Sequence, residues 1–408
     1  MTEETDFLIA GAGIVGLAVA AELRSRHPDA RIVVLEKEAA VGLHASGRNS
    51  GVLHSGVYYT PGTLKARLCA EGARRMLAFV RDNGVAHRVA GKVILAAGPE
   101  DLPGLERLER NAAANGIRAR RLAPREVLEI EPNAAPGEGL HCPDTAVVDS
   151  PAVVRALARR GEAAGVQIVY GENVVSAEES AVRTASGRRY RFHRLINCAG
   201  AHADRVARLF GLAADHVLVP FKGLYWKIRP ERNGLVKESL YPVPDLAFPF
   251  LGVHLTRGAA GDVYAGPTAV PALGRENYGI FEGLRPGEMG QSLWRLARLY
   301  AGRDRSFRAL VHRELLHYTR RGFLAAARRL VPALREDDLV PAHKVGIRPQ
   351  LVRRSDDRLE MDFHVEKNER SLHVLNAISP AFTCAFSFAA HLLDSWEKKE
   401  STDALAVS

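Results

Sequence analysis

The sequence predicts an α/β fold, with a parallel sheet assembled from separated segments and an antiparallel-sheet domain inserted between them (α+β in that second part). Three observations predict it. Residues 6–38 read as a strand, a glycine turn, a helix and a second strand. Stretches of similar α/β character return in the middle and near the end, and short β-like runs with proline and glycine lie between them. A length of 408 residues indicates about two domains.

The glycine turn near the amino terminus carries a specific spacing of small residues. Gly11, Gly13 and Gly16 form a G-x-G-x-x-G pattern between an apolar strand and an apolar helix. Glycine permits the tight turn, the approach of the backbone to a pyrophosphate and close packing of the helix on the strand. Glu36 ends the second strand, where a carboxylate can accept hydrogen bonds from ribose hydroxyls. We therefore predict a Rossmann-like dinucleotide site rather than an ordinary βα turn.

The remaining elements follow from composition and apolar spacing. Residues 40–62 are rich in Gly, Ser, His and Asn, which predicts an extended active-site loop. Helical spacing predicts helices at 63–83, 101–115, 124–130, 149–164 (with Ser150 as its cap) and 381–396, and a mostly helical, arginine-rich stretch at 293–334. Apolar runs predict strands at 92–97, 166–170, 191–197, 217–219 and 372–376, and short strands across 224–264.

Composition and charge narrow the class of protein. Hydrophobic and charged contents of 47% and 25% are typical of a soluble globular protein. The net charge is +9, but the arginines are spread along the chain, so we expect no nucleic-acid binding and leave open a loose attraction to an anionic membrane. The four cysteines form no C-x-x-C pair, so neither a metal site nor a disulfide is predicted.

The amino-terminal residues bear on location. Glu3, Glu4 and Asp6 precede the first long uncharged run, where a signal peptide would carry Lys or Arg. No stretch reaches the roughly 20 apolar residues that a membrane span needs. We expect a cytoplasmic protein, with loose association to the inner face of the membrane as an open alternative.

Blocks along nearly the whole chain resemble one group of flavoproteins. The loop 45–66 and the stretches 240–245 and 249–256 are the most specific, and the stretches 197–204, 266–270, 346–350 and 375–380 continue the match. Together they resemble the L-2-hydroxyglutarate oxidase/dehydrogenase family, within the D-amino-acid-oxidase-like FAD-dependent oxidoreductases. The family more often has His at the Arg48 position, Pro at Ile378, small residues near Phe382 and Ala at Pro349.

The resemblance implies an FAD cofactor, which we expect to be non-covalent. The sequence agrees, since it offers no second G-x-G-x-x-G for a nicotinamide nucleotide. We expect an FAD-binding domain from residues 1–84, 149–220 and 345–408, and a substrate-binding domain from 85–148 and 221–344. The expected cofactor contacts are Gly11, Gly13, Gly16, Glu36, Lys37, Ser46, Asn49, Ser50, Gly51, Val174, Ala199, Gly200, Gly346, Arg348, Ser379 and Thr383.

The resemblance further implies oxidation of a 2-hydroxy acid, with L-2-hydroxyglutarate as the favoured substrate. Hydride would pass to flavin N5, and the electrons to a quinone, oxygen or a soluble carrier. A base working near neutral pH is most naturally a histidine, and His54 and His254 lie in the specific blocks, ahead of His44 and His343. Arg348 is expected to bind one substrate carboxylate through two parallel hydrogen bonds. Further substrate contacts are expected from Tyr58, Tyr241, Thr268 and Lys222.

Other classes remain open at this point. An FAD-dependent amine or amino-acid oxidase would share the fold and differ in substrate. A non-catalytic FAD protein of the tRNA-modification type would need a nucleic-acid-binding stripe, and an NAD dehydrogenase would need a different cofactor. Ile378 and Phe382 are expected beside the flavin ring, where they could reshape the pocket.

Overall fold

The computed structural model describes residues 2–246, 250–302 and 305–404. Their strands are β1 (Thr2–Ala10), β2 (Ile32–Glu36), β3 (Val52–Leu53), β4 (His87–Val89), β5 (Lys92–Ala96), β6 (Arg120–Leu122), β7 (Glu138–His141), β8 (Ala146–Val148), β9 (Gln167–Tyr170), β10 (Val174–Glu178), β11 (Ala181–Thr184), β12 (Arg189–Asn197), β13 (His216–Ile228), β14 (Ser239–Pro242), β15 (His254–Arg257), β16 (Val263–Gly266), β17 (Val270–Pro271), β18 (Leu339–Arg353), β19 (His364–Lys367) and β20 (Ser371–Asn376).

Helices and short 3₁₀ turns connect these strands. The helices are α1 (Ile14–Arg26), α2 (Leu64–Asp82), α3 (Leu102–Ala114), α4 (Pro124–Ile130), α5 (Ser150–Ala163), α6 (Ala203–Arg208), α7 (Pro286–Ala301), α8 (Arg305–Leu316), α9 (Arg320–Arg328) and α10 (Ala385–Ala404). In the part of the chain that the structure describes, none of these helices is both long enough and apolar enough to cross a membrane.

The first large sheet has β1 near its centre. Strands β9, β2, β1, β12 and β20 run parallel in that spatial order, with β19 antiparallel on β20 and the β10–β11 hairpin antiparallel on β12. Leu8 and Ile9 are fully buried, because helices α1, α5 and α10 cover one face of this sheet and a second apolar cluster covers the other. The carboxyl end of β1 therefore delivers the glycine turn to a shared edge of the sheet.

The second large sheet is mostly antiparallel. Its spatial order is β17, β13, β16, β15, β14, β5, β7 and β6, with β18 paired to β13 over nearly its whole length. Helix α9 packs on this sheet, where Phe323 and Leu324 meet Val93 and Leu240 in one apolar cluster. A small third sheet joins β3, β8 and β4.

The predicted fold class is confirmed, and the predicted strand–turn–helix–strand unit is β1, α1 and β2. The proposed domain division stays a proposal. Strands β13 and β18 run across its boundaries at 220/221 and 344/345 while paired to each other, so the two domains share a continuous ladder. Pro249 of the block 249–256 and residues 405–408 of the last segment lie outside the described residues.

Three local predictions are wrong in detail. Helix α5 is capped by Asp149, whose side chain accepts a hydrogen bond from the Ala152 amide at 3.0 Å, and Ser150 is its first residue. Helix α10 begins at Ala385, since residues 381–384 form a turn. The strand expected at 217–219 is only the start of β13, because its pairing with β18 extends it far beyond the apolar run.

Candidate active site

A cavity of about 320 Å³ is lined by residues from both large sheets. Gly11, Gly13 and Glu36 line it on the side of the first sheet, and His254 and Arg348 come from the second. This volume lies within the range of sites for small molecules and cofactors. One cavity therefore brings together the predicted nucleotide residues and the predicted catalytic residues.

The glycine turn has no room for side chains. Gly11 has a φ of +103°, and a Cβ there would lie 2.6 Å from the Cys198 carbonyl oxygen. A Cβ on Gly16 would lie 2.0 Å from the Gly11 carbonyl oxygen, so Gly16 packs the helix on the turn and does not line the cavity. The turn is thus a bare backbone surface.

Helix α1 begins at this turn with its amide groups facing the loop 45–51. Gly13 is the cap residue and offers no side chain of its own, and the first helical turn carries no acid. The Ile14 amide donates to the Ser46 hydroxyl at 2.9 Å. A helix start free of negative charge is suited to bind a phosphate.

The carboxylate of Glu36 is fixed by backbone amides. One of its oxygens accepts from Ala12 at 2.9 Å and the other from Glu38 at 3.0 Å. Each oxygen keeps a further lone pair that can accept from a ribose hydroxyl. Lys37 also lines the cavity and pairs with Glu276 at 2.7 Å, which joins β2 to a segment of the inserted region.

The loop 45–51 is held in shape by its own polar groups. The Asn49 side chain donates to the Ser46 carbonyl at 2.7 Å and accepts from the Gly51 amide at 2.8 Å. Gly51 has a φ of +77°, and a Cβ there would lie 2.2 Å from the Val148 carbonyl oxygen. Gly51 therefore packs on β8 and does not line the cavity, whereas Ser46, Asn49 and Ser50 do.

Most of the other expected cofactor residues line the same cavity. These are Val174, Ala199, Gly200, Gly346, Arg348, Ser379 and Thr383. Arg48, Pro349, Ile378 and Phe382, the four positions that depart from the family pattern, line it as well. Of the expected cofactor residues, only Gly16 and Gly51 do not line the cavity.

His54 follows β3 and is held by its backbone. Its amide donates to the Thr383 hydroxyl at 3.1 Å, and its carbonyl accepts from the Cys69 thiol at 3.2 Å. The Nδ1 atom of its ring is buried with no hydrogen-bond partner among the described residues. Burial, together with the charges of Lys92, His254 and Arg348, lowers the pKa of His54 to about 3.

His254 is oriented by a backbone carbonyl. Its Nδ1 lies 2.9 Å from the Gly252 carbonyl oxygen, which requires a proton on Nδ1 and leaves the lone pair of the neutral ring on Nε2. Burial, together with the charges of Arg348 and Lys92, lowers the pKa of His254 to about 3, against the raising effect of its hydrogen bond to Gly252. Both histidines are therefore neutral at physiological pH, and each ring keeps one nitrogen lone pair unprotonated.

Arg348 lies on β18, opposite Phe221 of β13. Its guanidinium lies 5.8 Å from the centre of the Phe250 ring, and its charge acts on the buried Tyr225 hydroxyl. Among the described residues, no carboxylate forms an ion pair with it. A cation that lines a cavity without an anionic partner is suited to bind an anionic ligand.

The other four expected substrate contacts do not line the cavity. Tyr241 is fully buried and stacks on the His254 ring with centroids 3.9 Å apart, and Tyr58 packs on Tyr241 at 6.4 Å. Lys222 donates to the Asn277 side chain at 3.0 Å and to a neighbouring carbonyl. The Thr268 hydroxyl accepts from the Leu224 amide at 3.0 Å. In this structure the two tyrosines support His254, and Lys222 and Thr268 join backbone segments.

The two lower-ranked histidines differ in position. His44 lines the cavity, where its ring nitrogens contact Tyr278 at 2.6 Å and Lys37 at 2.9 Å. His343 is exposed, has a φ of +49° and does not line the cavity. Neither has the buried, oriented ring that His254 presents.

Lys92 is a residue that the sequence analysis missed. It is the first residue of β5, it is fully buried and its ammonium has no hydrogen-bond partner among the described residues. The ammonium lies 4.4 Å from the centre of the Tyr58 ring and 5.2 Å from that of Tyr241. A lysine before an apolar strand usually points to solvent, and its burial depends on the pairing of β5 with β14.

Comparisons with known proteins agree with this geometry. The family described as FAD dependent oxidoreductase matches residues 6–395. L-2-hydroxyglutarate dehydrogenase of Salmonella houtenae is 37% identical over 95% of this chain and 92% of its own. The mitochondrial L-2-hydroxyglutarate dehydrogenase of Homo sapiens is 33% identical over 98% of this chain and 90% of its own. The chain belongs to the L-2-hydroxyglutarate dehydrogenase family of FAD-dependent oxidoreductases.

Solved structures share its fold. L-α-glycerophosphate oxidase from Mycoplasma pneumoniae with FAD bound superposes with a TM-score of 0.77 at 20% identity, over 97% of this chain and 95% of that one. Glycine oxidase from Geobacillus kaustophilus gives 0.70 at 19% identity, with the same coverage. The bare glycine turn, the acid-free start of α1 and the fixed Glu36 fit the FAD that this family binds.

Proposed function

We propose that the protein oxidises L-2-hydroxyglutarate to 2-oxoglutarate. The observation that carries the proposal is the meeting of His54, His254 and Arg348 on the cavity that the glycine turn also lines. The relatives that match over nearly the whole chain act, by name, on the same compound. Two neutral bases and an unpaired guanidinium suit an anionic alcohol.

Arg348 binds one carboxylate of this substrate. Its planar fork of donors matches a carboxylate, and the nearby Phe250 ring limits the directions that the guanidinium can take. Binding by a fixed cation also brings the adjacent α-carbon to a defined place in the cavity.

His254 accepts the hydroxyl proton. Its Nδ1 is anchored on the Gly252 carbonyl, its ring is stacked on Tyr241, and its Nε2 carries the free lone pair. FAD, when bound, supplies the acceptor for the hydride that leaves the α-carbon. His54 orients the hydroxyl. Burial keeps both rings neutral, and the charge of Lys92 adds to this effect.

The cofactor is held without a covalent bond. Cys198 is the cysteine that lines the cavity, and burial raises the pKa of its thiol to about 12, so it is not a reactive thiolate at neutral pH. The four cysteines are buried and unpaired. Acid precipitation of the purified protein should leave all of the flavin in the supernatant, and flavin in the pellet would contradict this assignment.

Anaerobic mixing with each enantiomer of 2-hydroxyglutarate tests the reaction. The proposal expects bleaching of the flavin absorbance with the L form only, and formation of 2-oxoglutarate. Glycine, sarcosine and a D-amino acid serve as the comparison for an amine oxidase. Bleaching by one of these and not by L-2-hydroxyglutarate would overturn the assignment.

We further propose that the electrons leave to a quinone in a membrane with an anionic surface. Residues 285–329 contain eleven arginines, no lysine and three acidic residues, so most of the net charge of the chain comes from this segment. Of fifteen large apolar side chains that the described residues expose, eight lie between residues 280 and 318. They are Ile280, Phe281, Leu293, Trp294, Tyr300, Leu315, Leu316 and Tyr318. Arginines interleaved with exposed aromatic and aliphatic side chains suit a bilayer interface.

Sedimentation with lipid vesicles tests this surface. Binding to vesicles with anionic lipid is expected, with loss in high salt and on the double change of Ile280 and Phe281 to Ser, both more than 80% exposed. Val175→Ser, at an exposed site outside the segment, is the matched control. Equal sedimentation of all three proteins, or none, would contradict the proposed membrane surface.

A further inference from the structure

A second group of metal-ligating side chains lies outside the cavity. His216, His364 and Glu366 each place one possible ligand atom within 4.8 Å of the other two. None of the three lines the cavity described above. His216 is the first residue of β13 in the second sheet, and the other two lie on β19 at the edge of the first.

The strand geometry sets up this group. His364 and Glu366 are two residues apart on β19, so they share one face of the strand. One oxygen of Glu366 accepts from the Ala213 amide at 2.8 Å, which fixes the carboxylate. Its other oxygen lies 3.2 Å from Nδ1 of His216 and 3.4 Å from Nε2 of His364.

These separations suit a tetrahedral ion. Bonds of 2.0–2.1 Å from Zn²⁺ to nitrogen and oxygen put neighbouring ligand atoms about 3.3 Å apart. Two imidazoles and a carboxylate favour zinc over magnesium or calcium, which prefer oxygen ligands alone. A fourth position remains for water.

A further carboxylate supports His216 from behind. Glu360 lies 3.7 Å from Nε2 of His216, a buried atom without a hydrogen-bond partner among the described residues. Arg353 holds Glu360 at 2.8 Å. Histidines that bind a metal commonly donate their other ring N–H to a carboxylate, and Glu360 would take that role for His216 after moving within hydrogen-bond distance.

A second group of this kind shows why not every cluster is a site. Glu38, His44 and Glu276 also lie within ligand distance of one another. The ammonium of Lys37 already lies among them, 2.9 Å from His44 and 2.7 Å from Glu276. No lysine or arginine pairs with His364 or Glu366 among the described residues, so that group is open to a metal ion.

We propose that His216, His364 and Glu366 bind one Zn²⁺-class ion that ties the start of β13 to the β19–β20 hairpin. The site is structural, because it joins the two large sheets away from the cavity. It does not depend on the function proposed above.

Metal content and thermal stability of the flavin-loaded protein test this site. After treatment with a chelator and titration with Zn²⁺, the wild type should bind one ion per chain. Its unfolding midpoint should rise by about 3 °C at 100 times the dissociation constant. Glu366→Gln keeps the hydrogen-bonding shape but loses the anionic ligand, and it should lose both effects, as should His364→Gln. His193→Gln, at a side chain that is 84% exposed, is the matched control and should keep both.

The flavin content shows whether each variant is folded. X-ray absorption at the zinc edge of the wild type gives a second measurement that needs no variant, and two imidazole ligands are expected. A wild type that binds no ion, equal binding by Glu366→Gln, or a zinc shell without imidazole would each overturn the proposal.

Discussion

The two ends of the cavity are built in opposite ways. The nucleotide end comes from one continuous stretch, in which β1, the glycine turn, α1 and β2 present mainly backbone atoms. The substrate end comes from three distant segments, since His54 follows β3, His254 begins β15 and Arg348 lies within β18. The first end depends on the absence of side chains, and the second on side chains held in one orientation.

This difference separates what each end can tolerate. A site made of backbone atoms is blocked when a substitution adds a Cβ to it. A site made of side chains loses only the contribution of the residue that is replaced. Changes at the nucleotide end should therefore abolish flavin binding, and changes at the substrate end should leave a flavin-loaded protein with altered kinetics.

The largest effect is expected at Gly16. In Gly16→Ala the new Cβ would lie 2.0 Å from the Gly11 carbonyl oxygen, so the helix must move away from the turn. Purified Gly16→Ala should carry no flavin by absorbance. Gly290→Ala, where a Cβ meets nothing within 4 Å, should keep it. A flavin-loaded Gly16→Ala would show that the close packing of α1 is not required.

Removal of the proposed base comes next. His254→Gln should retain FAD and lower the rate of anaerobic flavin reduction by about 10²–10⁴-fold. The effect of His54→Gln on this rate should be smaller, because the His54 ring is proposed to orient the substrate hydroxyl and not to accept its proton. Stopped-flow absorbance with His193→Gln as control measures both, and the reverse order would assign the base to His54.

Loss of the guanidinium should act on substrate binding. Arg348→Met should lower kcat/KM for L-2-hydroxyglutarate by about 100-fold, or about 3 kcal/mol, since two charge-assisted hydrogen bonds are lost. Arg348→Lys should recover part of the lost kcat/KM, because lysine keeps the positive charge but lacks the two parallel N–H donors of the guanidinium. Arg118→Met, at an exposed arginine, controls for charge. An unchanged KM in Arg348→Met would remove this residue from the substrate site.

The smallest effect concerns pH. Histidines with pKa values of about 3 stay neutral above pH 4, so the base is present at pH 5.5 and is lost only as the pH falls through 3. An ordinary histidine would lose about tenfold in rate by pH 5.5. We expect a flat profile of kcat/KM from pH 8 to 5.5 in the wild type. Lys92→Met removes a charge that lowers both pKa values, so its acid limb should move upward. A tenfold loss of kcat/KM between pH 8 and 5.5 in the wild type would contradict the neutral state of the two histidine rings.

The strand–turn–helix–strand unit of the nucleotide end was predicted from the sequence, because its determinants are local. Gly11 and Glu36 are 25 residues apart, and their spacing alone indicates a strand–turn–helix–strand unit. His54, His254 and Arg348 were found only through the resemblance of whole blocks. Lys92 was missed, since its burial arises from the pairing of β5 with β14, which no local pattern reveals.

The arginines gave a different lesson. Along the sequence they looked scattered, and the concentration in residues 285–329 was described only as an arginine-rich helical stretch. Apolar residues in and next to this segment, such as Phe281 and Trp294, look like ordinary core residues in the sequence. The structure shows that they are exposed, and this exposure is what indicates a binding surface.

The hydrogen bond from the His54 amide to Thr383 has a consequence for biosynthesis. Thr383 is 329 residues further along the chain, next to the final helix, and β20 of the first sheet also comes late. A nascent polypeptide that has left the ribosome only as far as β18 lacks Thr383, which binds the His54 amide, and lacks strand β20 of the first sheet. The contact that holds His54 must therefore form after Thr383 has been synthesised, whereas the first βαβ unit can form as soon as it emerges.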